Sequence, residues 1–355
     1  MSSSVTSRRR FLRPQAVASV LGAGFADVLP PLENNDSVYL LRAGRAAMAC
    51  RFEILFGSGD RLKVMLAHRA LDEVARLERQ MTGFSEESEI SSINRNAHQG
   101  PVVAERRLFQ LLSLCCDLYR KTDKAFDMTA GPLWRCWGFA QRWGEVPTQE
   151  ALDRALDSVG SQRLELDEES RSIRFHHPGL ELNLGGIGKG HALDRAAVLL
   201  RDEGLSNALL HAGHSSTLAL GNAPRPQGRG GWPLSLRHPL QRTQSLALIQ
   251  LRDRAMATSG VGEQSFQAEG KRYGHVLDPR TGYPTEKNLS ATAFARTAAE
   301  ADALSTAFLV MDLEEVREYC HNDPSVAALV VPASSSGEIE VHNFGLDSYD
   351  VEIVS

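Results

Sequence analysis

Apolar and polar positions follow two distinct rhythms along the chain. Over residues 50–56, Cys50, Phe52, Ile54 and Phe56 are separated by Arg51, Glu53 and Leu55, close to the period of two that predicts a half-buried strand. From 62 to 77 the period lengthens: Leu62, Leu66, Ala70, Leu71, Val74 and Leu77 recur at helical spacing. The same spacing predicts helices over 105–121, with Leu108, Leu111, Leu112, Cys115 and Leu118 on one face, and over 149–158. Short strands are expected near 164–166, 172–176 and 180–184, a small meander divided by turn-forming stretches at 167–170 and 177–179. The last of these strands runs through a glycine cluster into a helix over 189–203 and a strand over 207–211. Residues 221–231, rich in Gly and Pro, read as a loop. A strand near 289–295, helices near 298–311 and 313–321, and strands at 326–331 and 337–342 complete the pattern, which is α and β interleaved with no fixed repeat.

The first 26 residues stand apart from it. Arg8-Arg9-Arg10-Phe11-Leu12-Arg13 precedes an apolar stretch from Ala16 to Leu29, too short to span a bilayer, and Ala23-Gly24-Phe25-Ala26 offers small residues for cleavage. This is the order of a twin-arginine export leader. The expected organisation is a leader at 1–26, a linker at 27–47, a main domain at 48–345 and a tail at 346–355. Loss of the four arginines in the leader would take the net charge from −5 to −9. With no cysteine in the leader there is no lipid attachment point, and a soluble periplasmic or otherwise exported protein is expected, without a membrane span once the leader is removed.

The length of 355 residues allows about two units of roughly 100–200 residues. Hydrophobic residues at 42% and charged residues at 23% are globular usage and exclude a disordered chain. The negative net charge argues against holding nucleic acid by phosphate neutralisation. Five cysteines without C-x-x-C spacing give neither a zinc site nor a complete disulfide framework.

Three segments carry candidate chemistry. Leu182 to His191 is an apolar run entering Gly185-Gly186-Ile187-Gly188-Lys189-Gly190, which either cradles a phosphate or makes a tight packing turn; it is neither a P-loop nor G-x-G-x-x-G. Asp302 and Thr306 are four apart, on one helical face, where carboxylate and hydroxyl suit a hard cation such as Mg²⁺, or where the aspartate is simply a cap. His275, in His275-Val276-Leu277-Asp278-Pro279-Arg280-Thr281-Gly282, is either a general base or a turn histidine. Ala257-Thr258-Ser259-Gly260 lacks a nucleophile elbow, so a serine hydrolase is a poor reading.

In order along the chain, these blocks resemble the ApbE-type FAD:protein FMN transferases over about 48–311. The resemblance runs through Met48-Ala49-Cys50, Met81-Thr82-Gly83-Phe84-Ser85 with Asn94, Ala125-Phe126-Asp127-Met128-Thr129-Ala130-Gly131-Pro132-Leu133, the glycine block, Thr258-Ser259-Gly260, the His275 block and Ala301-Asp302-Ala303-Leu304-Ser305-Thr306. It implies an α+β fold of intertwined sheets and helices in two lobes flanking an FAD cleft. The implied reaction is transfer of FMN from FAD to a Thr or Ser hydroxyl of an exported or membrane-borne acceptor protein, with AMP released. Met48, Phe84, Ala125, Phe126, Asp127, Asn183, Lys189 and Val276 would then lie along FAD, and Asp302, Thr306 and the Gly186 carbonyl would hold Mg²⁺. His275 is the expected proton acceptor, with Asp278 orienting it. The sequence departs from many members in Gly213-His214-Ser215 and in Met-Ala-Cys. Two other outcomes stay open on sequence alone: hydrolysis of FAD to FMN and AMP, and an FAD carrier without turnover.

Overall fold

A computed structural model of the chain describes residues 39–58, 61–139, 144–224, 230–241, 243–262, 265–268, 270–334 and 338–354. The leader expected at 1–26 and most of the linker lie outside them. The described chain opens on a hairpin of β1 (Leu40–Ala47) and β2 (Cys50–Gly57), so residues expected in the linker form the first strand. Its two turn residues, Met48 and Ala49, have φ of 49° and 58°. A right-twisted hairpin needs that geometry, and it is one that glycine or asparagine adopts with less strain.

Helices α1 (Arg61–Met81) and α2 (Glu89–Asn96), strand β3 (Val102–Val103) and helices α3 (Arg106–Lys121), α4 (Gly131–Cys136) and α5 (Gln149–Asp157) follow. Next come β4 (Leu164–Asp167), β5 (Ser172–Phe175), α6 (Gly188–Asp202), β6 (Ala208–Ala212), β7 (Ser216–Leu220), β8 (Trp232–Arg237), β9 (Ser245–Leu251) and β10 (Ala255–Gly260). The rest is β11 (Ser265–Ala268), β12 (Lys271–Gly274), β13 (Asn288–Ala295), α7 (Ala298–Val310), α8 (Leu313–Asn322), β14 (Ala327–Pro332), β15 (His342–Phe344) and β16 (Val351–Ile353). The last strand falls in the expected tail.

One antiparallel sheet of eight strands, ordered β1-β2-β6-β7-β10-β13-β14-β15, divides the molecule. Helices cover one face and the three-stranded sheet β16-β9-β8 covers the other. Alternation along β2 sorts the layers: Phe52, Ile54 and Phe56 enter the helical core, Leu55 the core under the small sheet. Because β14 is buried on both faces, its sequence is a continuous apolar run.

Helix α7 lies within this architecture rather than on it. Eleven of its residues are buried, on every side, which is the signature of a helix without a solvent face. The strands beside it present alanines, Ala255 and Ala257 from β10 and Ala291, Ala293 and Ala295 from β13, so the helix approaches the sheet closely. The residues that α7 carries are thereby fixed against the main sheet.

The stretch 180–184, expected as a third strand of a meander, pairs with no strand. β5 is flanked instead by β3 and β4. The main chain of Leu182 is held by the Asn94 side chain, whose Oδ1 accepts from Leu182 N at 2.8 Å and whose Nδ2 donates to Leu182 O at 3.1 Å, and Asn183 N donates to Met128 O at 2.7 Å. An amide side chain on α2 thus satisfies backbone groups that a neighbouring strand would otherwise take. The expected strand at 337–342 is largely replaced by β15, one residue of which, His342, it shares.

Candidate active site

A cavity of about 340 Å³ opens where the glycine turn before α6, the end of β10, the segment after β12 and the middle of α7 converge. Of the residues that the sequence singles out, Phe84, Ala125, Phe126, Asp127, Asn183, Gly186, Lys189, His275, Val276, Asp302 and Thr306 line it. They come from positions up to 222 residues apart, brought together by the sheet and the buried helix. Met48 and Asp278 are not in its wall.

Asp302 forms the floor. It is 4% exposed. Its Oδ1 accepts from Ser216 Oγ at 2.8 Å and faces Lys189 Nζ at 3.6 Å, while Oδ2 accepts from Gly190 N at 3.1 Å. The alternative of a capping aspartate is excluded, because Thr297 caps α7 through Glu300 N and Asp194 takes Ala298 N and Ala299 N. One turn on, Thr306 Oγ1 donates to the Asp302 carbonyl at 3.3 Å and lies 3.4 Å from Ser259 Oγ. A Cβ built on Gly186 would sit 3.6 Å from that hydroxyl and 3.4 Å from the Phe126 ring, so Gly186 belongs to the same corner. Ser259 also bonds Ser305, which places its hydroxyl beside the carboxylate-bearing helix rather than beside a base.

The glycine block divides between packing and the cavity wall. Gly190 is a packing residue: a Cβ there would lie 2.0 Å from the Ala298 carbonyl oxygen, so α6 and α7 cross at backbone contact. Gly185 and Gly186 line the cavity. The N-terminal turn of α6 carries no acid of its own, and Asp302 supplies one from α7: Gly190 N donates to its Oδ2 at 3.1 Å, while Gly188 N donates to Leu184 O at 2.7 Å.

Asp127 is held by hydrogen bonds of its own. The residue lines the cavity, but its carboxylate turns into the protein and accepts from Thr129 N and Oγ1 at 2.8 and 2.7 Å and from Ser161 N and Oγ at 3.2 and 2.6 Å. Burial pushes its carboxyl up, against those hydrogen bonds. Asp278 is likewise occupied: Arg280 donates to it through the backbone N at 2.9 Å and through Nε and the guanidinium at 3.0 Å, and reaches Glu315 on α8 at 3.0 Å. The aspartate braces the turn behind Pro279, which is in the wall. Met48 sits in the β1–β2 turn, its N–H donating to Glu78 on α1 at 2.6 Å.

The structure adds residues that sequence reading missed. Ser216 is the shortest contact of Asp302, yet a serine on an apolar strand gives no signal in the sequence. Trp134, on α4, adds an aromatic wall. Phe84 stands at the rim, 85% exposed, against the default that an aromatic is core. Among the described residues no group of three or more His, Cys, Asp and Glu stands together as a metal cluster.

The ApbE family model matches residues 48–330. The FAD:protein FMN transferase of Klebsiella pneumoniae (strain 342) is 31% identical over 269 residues, covering 74% of this chain and 82% of that protein. The protein of the same description from Treponema pallidum is 30% identical over 304 residues, covering 79% and 83%. The crystal structure of the ApbE protein from Thermotoga maritima superposes with a TM-score of 0.76 at 29% identity, over 85% of this chain and 96% of that one. The flavin transferase ApbE from Vibrio cholerae shares the fold, with a TM-score of 0.76 at 23% identity, over 87% and 98%. With the match spanning the cavity and both layers that build it, the chain belongs to the ApbE family.

Proposed function

We infer that the chain is a Mg²⁺-dependent FAD:protein FMN transferase that moves FMN from FAD onto a Thr or Ser hydroxyl of an acceptor protein and releases AMP. The observation that carries this reading is a buried carboxylate, Asp302, at the floor of a cavity that Lys189 and the glycine turn before α6 also line. Burying a carboxylate costs several kcal/mol unless its partners offset it, so a site that keeps one on a largely buried helix is built around charge.

Asp302, Thr306 and the neighbouring Gly186 carbonyl form a set of hard oxygen donors with a single formal charge. That set fits Mg²⁺, which keeps several of its positions for water and substrate phosphate. Held there, the ion would neutralise charge on the pyrophosphate and favour departure of AMP.

The chain's own groups supply the rest. The α6 N-terminus and Lys189 hold the negative pyrophosphate. Phe84, Phe126 and Trp134 offer ring faces to the flavin or adenine, with Ala125, Asn183 and Val276 along the remainder, while Asp127 holds the wall through Thr129 and Ser161. His275, at the wall, accepts the proton of the acceptor hydroxyl. The acceptor oxygen forms a bond to the FMN phosphorus, and the bond from that phosphorus to the bridging oxygen breaks, the electron pair leaving with AMP. Asp278 acts through the turn that it and Arg280 brace.

The leader pattern at the N-terminus supports export by the twin-arginine route and an acceptor that is itself exported or membrane-bound. No described helix is long and apolar enough to cross a membrane.

The test is Asp302→Ala. FAD binding, followed by quenching of flavin fluorescence, is expected to persist, while Mg²⁺-dependent AMP release falls at least a hundredfold, the scale for removing a group that organises transition-state charge. Turnover unchanged in the variant would sink the metal assignment.

A further inference from the structure

Both oxygens of Asp302 have donors supplied by the protein, and the donors are unequal. Ser216 is 1% exposed on β7, and Gly190 is locked where α6 meets α7, so neither hydrogen bond can swing away without moving the framework. Lys189 differs. Its Nζ is 3.6 Å from Oδ1, an ion-pair distance too long for a hydrogen bond to that oxygen, and its side chain is 24% exposed on a flexible four-carbon stem. It also lines the cavity from the first turn of α6.

We propose that Lys189 is a resident counter-cation of Asp302 that competes with a divalent cation for Oδ1, and that a phosphate-bearing substrate, by drawing the ammonium away, makes cation and substrate binding mutually reinforcing. The identity of that substrate rests on the flavin-transfer reading; the competition does not. An ammonium and a divalent cation at one carboxylate oxygen repel each other, and water in this buried corner screens them little. The lysine therefore weakens cation binding while it remains, and the negative pyrophosphate gives it a second place to go. Coupling of this kind is reciprocal: whatever factor the substrate adds to cation affinity, the cation adds to substrate affinity. Lys189 is on this account more than a phosphate ligand. It keeps the buried carboxylate neutralised and ties the occupation of the cation site to arrival of the substrate.

Calorimetric titration of Mn²⁺ into the full chain, in flavin-free buffer, tests this on wild type, Lys189→Met and Lys189→Arg, with Asp302→Asn marking the heat that belongs to the site. Lys189→Met is expected to bind Mn²⁺ about tenfold more tightly than wild type, within the usual range of coupled sites, and Lys189→Arg to stay near wild type. Repeated with saturating FAD, the titration should tighten for wild type and not for Lys189→Met. Equal or weaker Mn²⁺ affinity in Lys189→Met, equal tightening by FAD in both proteins, or no Mn²⁺ binding by either overturns the proposal. Lys189→Gln replaces the Met variant should circular dichroism show that the latter is unfolded. Since neither titration requires turnover, the two claims fail separately. A chain that binds Mn²⁺ in this way but never transfers FMN loses only the functional reading, whereas transfer with Mn²⁺ affinity indifferent to Lys189 loses only the competition.

Discussion

Asp302 and Asp127 are both buried aspartates of the same cavity, and their hydrogen bonds assign them opposite tasks. Asp302 faces a lysine, the Ser216 hydroxyl and the Gly190 N–H at the floor, whereas Asp127 spends its carboxylate on Thr129 and Ser161, two residues that are themselves buried. Asp127→Ala would leave those donors without an acceptor in a dry setting. The expected cost is about 3 kcal/mol, read as a lower urea midpoint, with Mg²⁺ affinity of the folded fraction unchanged. The difference between the two was only half legible in the sequence. The spacing of Asp302 and Thr306 declares a shared helical face, but Ser216 and Lys189 reach Asp302 from 86 and 113 residues earlier, and no local pattern encodes that meeting. Asp127 read as a ligand residue because its block is distinctive, while the turn to Ser161 is set by tertiary packing alone.

At the scale of elements, the cavity depends on how α6 crosses α7. Gly190 gives the close approach, and Asp194 extends it by accepting the two backbone N–H groups that begin α7, at 2.8 and 2.9 Å. Gly190→Ala forces a methyl into the Ala298 carbonyl and shifts the helix that bears Asp302. A loss of about 3 kcal/mol by chemical unfolding, accompanied by weaker Mn²⁺ binding, is the expected result.

Two groups on α6 titrate in opposite senses. Burial, helped by Arg195, pulls His191 down to about 4, and burial raises Asp194 to about 6 despite its backbone hydrogen bonds. Between pH 4 and 6 the unfolded chain binds more protons at His191, so that residue makes stability fall on acidification. Over the same window the folded chain binds more at Asp194, so that residue makes stability fall as pH rises. Wild type should show a shallow profile from the pair. His191→Gln leaves the aspartate unopposed, and its stability relative to wild type should decline by up to about 1.4 kcal/mol per unit as pH rises from 4 to 6, measured by urea unfolding at each pH. A difference between the proteins that does not vary with pH would remove His191 as a buried neutral group. Periodicity made α1, α3, α6, α7 and α8 legible, because each repeats an apolar face or run over ten residues or more. It misplaced 180–184, where an asparagine side chain stands in for a strand, and it passed over β1, most of whose residues are not buried, and β16, whose mate β9 lies far back in the chain.

For the whole molecule, the large antiparallel sheet explains why the site needs a chain of this length. The sheet fixes β7 and β10 beside α7, the helices carry the glycine turn, and the second sheet buries the face that would otherwise be exposed apolar surface. The α+β class and the order of the chemical blocks were legible because they follow one another along the sequence. The layering was not, since antiparallel neighbours such as β2 and β6 are separated by α1 to α6. What the architecture delivers is one cavity lined by the glycine turn, a buried carboxylate with a lysine beside it, and a histidine. The most direct measurement is incubation of the purified chain with FAD, Mg²⁺ and a candidate acceptor protein, with AMP and the acceptor's mass followed together. The account predicts that the acceptor gains the mass of FMN in step with AMP, and that both disappear in EDTA and in Asp302→Ala. FAD bound with no AMP released and no acceptor labelled would contradict it.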